Sequence, residues 1–329
     1  MSALFDRSVK ALQRKRILSD PQSAKTYFFD LGIENIVSRL YSVKGRDFSN
    51  TCYIGPMGHL FVEQVSSLES VQGVTLIDFC KESLDYSLSE SKKLTGGLRV
   101  TGLHLDEEDW NFPENYFNLI VNNFQMHWMN VISGTAEKWL KSLVPDGALV
   151  GTLMGGDTLQ ELRIALTLAE QEREGGVSTH VSPMLNIPDV GNLFNRLHFK
   201  LVTTNADTNT LYFDSMFSLM AFLQALGENN AANTRREVLS RETFVAANAI
   251  YEGLFAEKEG SFQGKLPATF DVVHYIAWKE HESQQKPLQK GARGIDIKTL
   301  AEEVEDDEME MGEIQESEES VELKYTKRK

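Results

Sequence analysis

Apolar and polar positions change period several times along the chain, and each change marks an element. "NTCYIG" (50–55) reads as a strand, "PMGH" (56–59) as a loop, and Leu60, Val62, Val65 and Leu68 as the apolar face of a helix. "GVTLIDF", ending near Asp78, is a second strand, and "KESLDYSLSESKKL" a surface helix closed by Gly96 and Gly97. "LRVTGLHLD", ending at Asp106, and "YFNLIVNNF" are the third and fourth strands. "GTAEKWLKSLV" is a helix, and "PDG" (145–147) turns the chain into a fifth strand, "ALVGTLM". Strands alternate with helices, and the fourth and fifth are almost continuously apolar, which is the pattern of a parallel sheet covered on both faces.

The alternation breaks after residue 154. "GGDTLQELRIALTLAEQEREGG" predicts a helix, with Thr158 and Glu161 at capping-box spacing and Leu159, Leu162, Leu166 and Ala169 on one face. "FKLVTTNAD" and "TLYF" read as a strand pair, "SMFSLMAFLQALG" and "RETFVAANAIYEGLF" as two helices, and "ATFDVVHYIAWK" as a late strand returning to the sheet. A helical insert over about 214–262 therefore precedes the last strand. Residues 1–45 form an N-terminal helical segment, 46–282 the α/β domain and 283–329 a tail.

Charge refines this picture. The net charge is −15, but residues 302–322 hold twelve Asp and Glu with no Lys or Arg, and residues 324–329 hold four positive charges, leaving −7 for residues 1–301. The tail reads as a disordered acidic segment, and the mildly acidic body does not fit a nucleic-acid partner. The two cysteines, Cys52 and Cys80, exclude a disulfide framework. No apolar run reaches the roughly 18–20 residues of a membrane span. "SALFDRSVKALQRKR" carries five basic residues and one acid on a helix pattern, the look of a mitochondrial presequence or of an ordinary amphipathic first helix.

Ligands of such sheets bind outside the carboxyl ends of the strands. The residues there are Gly55 to His59, Asp78, Asp106 and Asn122 to His127. Gly55 and Gly58 suit a tight strand-to-helix turn that brings backbone close to a ligand, or a plain connection. Asp78 suits a ribose diol and Asp106 an exocyclic amine, or each caps its own loop. His127 is an acid–base candidate or packing. Asp157, Glu161 and Arg163 in "GGDTLQELR" are a polar cluster at the ligand edge or a solvated helix face. The seven histidines show no metal-binding spacing.

Several strings carry a resemblance: "FDR" (5–7), "MHWMN" (126–130), "PDG" (145–147), "GGDTLQELR" (155–163), "LAEQEREGG" (168–176), "HVSP" (180–183) and "AWKEHESQ" (277–284). With the order of elements, they resemble the class I methyltransferase-like assembly factors of mitochondrial respiratory complex I (NADH dehydrogenase), the arginine-hydroxylase family. Malonyl-carrier-protein O-methyltransferase is a more distant look-alike. The resemblance implies a Rossmann-like seven-stranded sheet with helices on both faces and S-adenosylmethionine as the expected ligand. It implies a place in the mitochondrial matrix at the inner membrane, and hydroxylation of an arginine in a complex I subunit, with that subunit and other assembly factors as partners.

The family's loop reads acid-x-Gly-x-Gly-x-Gly, and Tyr53, Gly55, Met57 and His59 stand at those positions. Asp78 and Asp106 match the ribose and adenine positions. The adenosine half of the pocket is thus retained and the methionine half rebuilt, so the loop reads as degenerate for S-adenosylmethionine. The sequence therefore leads to a cofactor edge of Gly55, Gly58, Asp78, Asp106 and Asn122, and a chemical neighbourhood of Asp157, Glu161, Arg163 and His127, with no metal site. The alternatives are a non-catalytic scaffold and, third, an active S-adenosylmethionine-dependent methyltransferase.

Overall fold

The computed structural model describes residues 3–19, 27–43, 45–94, 97–236 and 238–285. Seven strands form one sheet in the order β3-β2-β1-β4-β5-β7-β6. They are β1 (Asn50–Ile54), β2 (Gly73–Asp78), β3 (Arg99–His104), β4 (Phe117–Asn123), β5 (Leu143–Met154), β6 (Lys200–Phe213) and β7 (Leu266–Trp278). The first five pair in parallel, and β7 runs antiparallel to both β5 and β6. Strand order reverses between β1 and β4, so their carboxyl ends border the crevice where open sheets take ligands.

Alternation along β1 sorts the core. Cys52 and Ile54 face a cluster with α5 (Ile132–Ser142) and α7 (Ile187–Arg196), built on Trp139, Val190 and Phe194. Tyr53 faces the opposite cluster, with α2 (Tyr27–Ser42), α3 (Gly58–Val65) and α4 (Lys81–Ser91). A third cluster joins α6 (Gln160–Glu174), α8 (Met216–Leu226) and α9 (Arg241–Phe255) to Phe28, Phe29 and the start of β7. The insert between β6 and β7 thus holds α8 and α9, as the apolar periodicity predicts. Helix α1 (Arg7–Ile17) contacts α8 and α4.

Four local expectations are corrected. "FKLVTTNAD" and "TLYF" are one strand, β6, paired with β7 from Thr203 opposite Ile276 to Phe213 opposite Leu266. Its polar residues alternate outward on an edge strand, so "TNT" is a solvent face and not a turn. "PDG" lies inside β5, where Asp146 takes a positive φ of 64° beside a register shift. The capping box of Thr158 and Glu161 does not form. Leu159 is the N-cap residue in a left-handed conformation, and both polar side chains reach β7 instead. Helix α7 was not foreseen, although Pro188 near its start and Val190, Leu193 and Phe194 carry its signal. Gly96 and the tail from residue 286 onward lie outside the described residues.

Candidate functional site

The loop after β1 is filled by its own side chains. The Tyr53 hydroxyl donates to the Pro56 carbonyl at 2.7 Å, accepts from Asn123 Nδ2 at 3.1 Å, and its ring stacks on Phe61. Gly55 sits at a φ of 137°, and a Cβ there would collide with the Asn123 carbonyl, so its freedom serves the close approach of β1 to β4. A Cβ on Gly58 would press on Leu76 and Tyr53. Met57 holds a left-handed backbone with a buried side chain, and His59 stands edge-on to Tyr86. Burial lowers the His59 pKa.

Beyond this loop, Asp78 ends β2 as expected and Asn122 is next to last in β4, whereas β3 ends at His104 and Asp106, two residues on, caps the short turn that follows. Asp78 is buried; its Oδ1 accepts from the Cys80 amide at 2.8 Å, and its Oδ2 has no partner among the described residues. Burial raises its pKa, and nearby Arg14 opposes the shift. Asn122 accepts from the Met126 amide at 3.1 Å, and its Nδ2 is unpartnered among the described residues. Asp106 accepts from the Glu108 amide at 3.0 Å.

Helix α1 lies across these strand ends. Asp6 caps it by accepting from the amides of Ser8 and Val9. The spacing of Arg7, Lys10 and Arg14 puts three cations on one helix face. Arg7 gives Nε to Asp106 Oδ2 at 3.3 Å, Nη2 to Asp106 Oδ1 at 3.0 Å and to Glu107 Oε1 at 2.6 Å, and Nη1 to the Trp128 carbonyl at 3.2 Å. Its guanidinium lies 4.2 Å from the centre of the Phe79 ring. Lys10 donates to the Gly227 carbonyl at 2.7 Å and to Glu228 Oε1 at 3.2 Å, and sits 3.4 Å from the Trp128 ring centre. Arg14 gives Nη2 to Gln125 Oε1 at 2.7 Å, while its Nε and Nη1 find no partner among the described residues.

His127 belongs to this assembly. Its Nδ1 accepts from the Met154 amide at 3.4 Å, so Nε2 carries the proton and donates to Glu228 Oε2 at 3.2 Å. The Trp128 indole donates to the same oxygen at 2.7 Å. Burial lowers the His127 pKa and leaves the ring neutral at pH 7. Burial lowers Lys10 to about 7. Burial alone would raise Glu228, but Lys10 and the His127 hydrogen bond outweigh it and hold the carboxylate at about 2. Burial raises the pKa of Glu107, whose Oε2 is unpartnered among the described residues.

"GGDTLQELR" forms the adjoining turn after β5. Asp157 is exposed. Glu161 is buried and accepts from both the amide, at 3.1 Å, and the hydroxyl of Thr269 on β7. Arg163 donates to the carbonyls of Gly156 at 3.3 Å and Thr158 at 3.4 Å. His127 meets this segment at Met154, one residue before Gly155, while Glu161 and Arg163 point their hydrogen bonds into β7 and the turn. Among the described residues no three His, Cys, Asp or Glu gather as metal ligands.

The sequence reading missed Arg7, Lys10, Arg14, Glu107 and Glu228. The signal was present in "FDR" and "MHWMN", which meet here. Besides the Arg7 bond, Phe5 packs edge-on against Trp128 at 5.3 Å, and its amide donates to Asn130 Oδ1 at 2.8 Å.

A sheet of order 3-2-1-4-5-7-6 with only β7 reversed, and polar residues gathered at its carboxyl edge, defines the class I methyltransferase-like fold. A candidate methyltransferase from Bacillus halodurans C-125 superposes with a TM-score of 0.52 at 11% identity, covering 75% of this chain and 100% of that one. No family model matches the chain. It is 34% identical over 299 residues to arginine-hydroxylase NDUFAF5, mitochondrial, of Rattus norvegicus, covering 91% of this chain and 84% of that protein. It is also 32% identical over 162 residues to malonyl-[acyl-carrier protein] O-methyltransferase of Xylella fastidiosa (strain M23), covering 49% of this chain and 51% of that protein. The chain belongs to the family of the mitochondrial arginine-hydroxylase NDUFAF5.

Proposed function

We propose that this chain is an assembly factor of respiratory complex I that hydroxylates an arginine of a complex I subunit. Kinship over nine-tenths of the chain to proteins named arginine-hydroxylases carries this reading. The relatives are named mitochondrial, and among the described residues no helix is long and apolar enough to cross a membrane. The reading places the protein in the matrix, peripheral to the inner membrane, with residues 46–282 as the working domain and 283–329 as an acidic tail. Its chemical neighbourhood is His127 with the adjoining turn of Asp157, Glu161 and Arg163.

S-adenosylmethionine fits this edge poorly while α1 is docked. Tyr53, Met57 and His59 fill the loop, and Arg7 holds the carboxylate of Asp106 that an adenine amine would use. Weak or absent affinity is the expected calorimetric result, and a dissociation constant in the low micromolar range would remove this part of the reading. The same filled loop favours a second reading, a non-catalytic scaffold.

Cells lacking the protein separate the two. Wild type should restore both complex I, seen on native gels, and the hydroxylated arginine, seen by mass spectrometry. Asp157→Asn and Arg163→Gln should restore neither while keeping the folded state. Restoration of both by these variants would clear the turn of any functional role. Assembly without hydroxylation would establish the scaffold reading.

A further inference from the structure

We propose that the carboxyl edge under α1 is a guanidinium-binding site for an arginine of a partner protein, and that Arg7 is its internal occupant. The inference rests on the arginine-hydroxylase reading for its partner, and on geometry for its site. Every nitrogen of the Arg7 guanidinium is addressed. Asp106 takes Nε and Nη2 side-on, Glu107 takes Nη2, the Trp128 carbonyl takes Nη1, and the Phe79 ring covers one face of the plane. A planar fork of five donors fits this set, and a lysine ammonium does not. Glu107 is itself fully buried, steadied by Gln125 Nε2 at 2.5 Å, and its Oε2 has no partner among the described residues. That orphaned acceptor has room in its chemistry for one more donor than Arg7 supplies.

The occupant is held at a cost. Arg14 is buried on the same helix face with Nε and Nη1 unpaired among the described residues, close enough to act on the buried Asp78, whose Oδ2 is unpaired there as well. Buried donors and acceptors left unsatisfied disfavour the docked state. Helix α1 is therefore a cationic plug in an acidic cleft of Asp78, Asp106, Glu107 and Glu228. A partner segment that presents an arginine here displaces Arg7 from the same contacts.

Calorimetry on the full chain with Nα-acetyl-L-arginine N-methylamide tests this. Wild type should bind the probe at least tenfold more weakly than Arg7→Ala, because Arg7 competes from within the chain. Adding Asp106→Asn to Arg7→Ala should abolish the gain, and the lysine analogue of the probe should not bind. If Arg7→Ala binds no better than wild type, or binds the lysine analogue equally, the site is refuted. Should Arg7→Ala fail to fold, hydrogen exchange of wild type decides: saturating probe should speed exchange of the α1 amides, and unchanged exchange refutes the proposal. Probe binding in a protein that never hydroxylates arginine in cells keeps the site and removes the hydroxylase reading.

Discussion

Glu228 accepts from Lys10, His127 and Trp128 in a buried setting, so its charge is tied to folding. Its pKa of about 2 lies below the ordinary 4.5. A carboxylate lowered in this way contributes stability that is fully present above about pH 4.5 and lost as pH falls through about 2. Glu228→Gln should therefore lower the melting temperature at pH 7 and flatten its decline between those two pH values. Glu161 and Asp157, four residues apart, should behave oppositely in thermal melts. Glu161→Ala strips the amide and hydroxyl of Thr269 of their acceptor, at about 1.5–3 kcal/mol. Asp157→Asn alters an exposed side chain and should stay within about 0.5 kcal/mol.

At the scale of elements, backbone approach decides more than side-chain chemistry. Gly55→Ala would force a Cβ into the Asn123 carbonyl at a φ that L residues avoid. We expect a loss on the order of 3 kcal/mol, read as a lower melting temperature and less soluble protein. Strands β1, β2 and β4 and the body of β5 were legible because apolar runs bounded by turn residues have few other solutions. Helix α9 was legible to the residue because its four-residue periodicity is unbroken between Ser240 and Ala256. Strand β6 was split in reading because an edge strand alternates polar residues as a loop does. The capping box failed for a tertiary reason: β7 offers Thr158 and Glu161 better partners than the helix start does. That Asp78, Asp106 and His127 gather at the carboxyl ends of the strands was legible from the order of elements. What covers that edge was not, because Lys10 and Glu228 are 218 residues apart and neither lies in a local pattern that names the other.

For the whole molecule, residues up to Gln284 form one compact unit. Removing residues 302–329 should leave the melting temperature unchanged, since twelve acids with few large apolar residues cannot build a core. A marked fall on truncation would make the tail structural. The docking of α1 also orders events in time. The helix precedes by more than two hundred residues the Gly227 carbonyl and Glu228 that receive Lys10. The strand-like seam of Leu4 to Asp6 likewise waits for Ala231 and Asn233. Contacts of such separation form late, after local ones. Until then the first helix is a free basic amphipath, and the acidic cleft stands open. A segment that reads in sequence as either a presequence or an ordinary first helix is, in the folded chain, the one that closes this edge, and it does so only once residues more than two hundred positions later are in place.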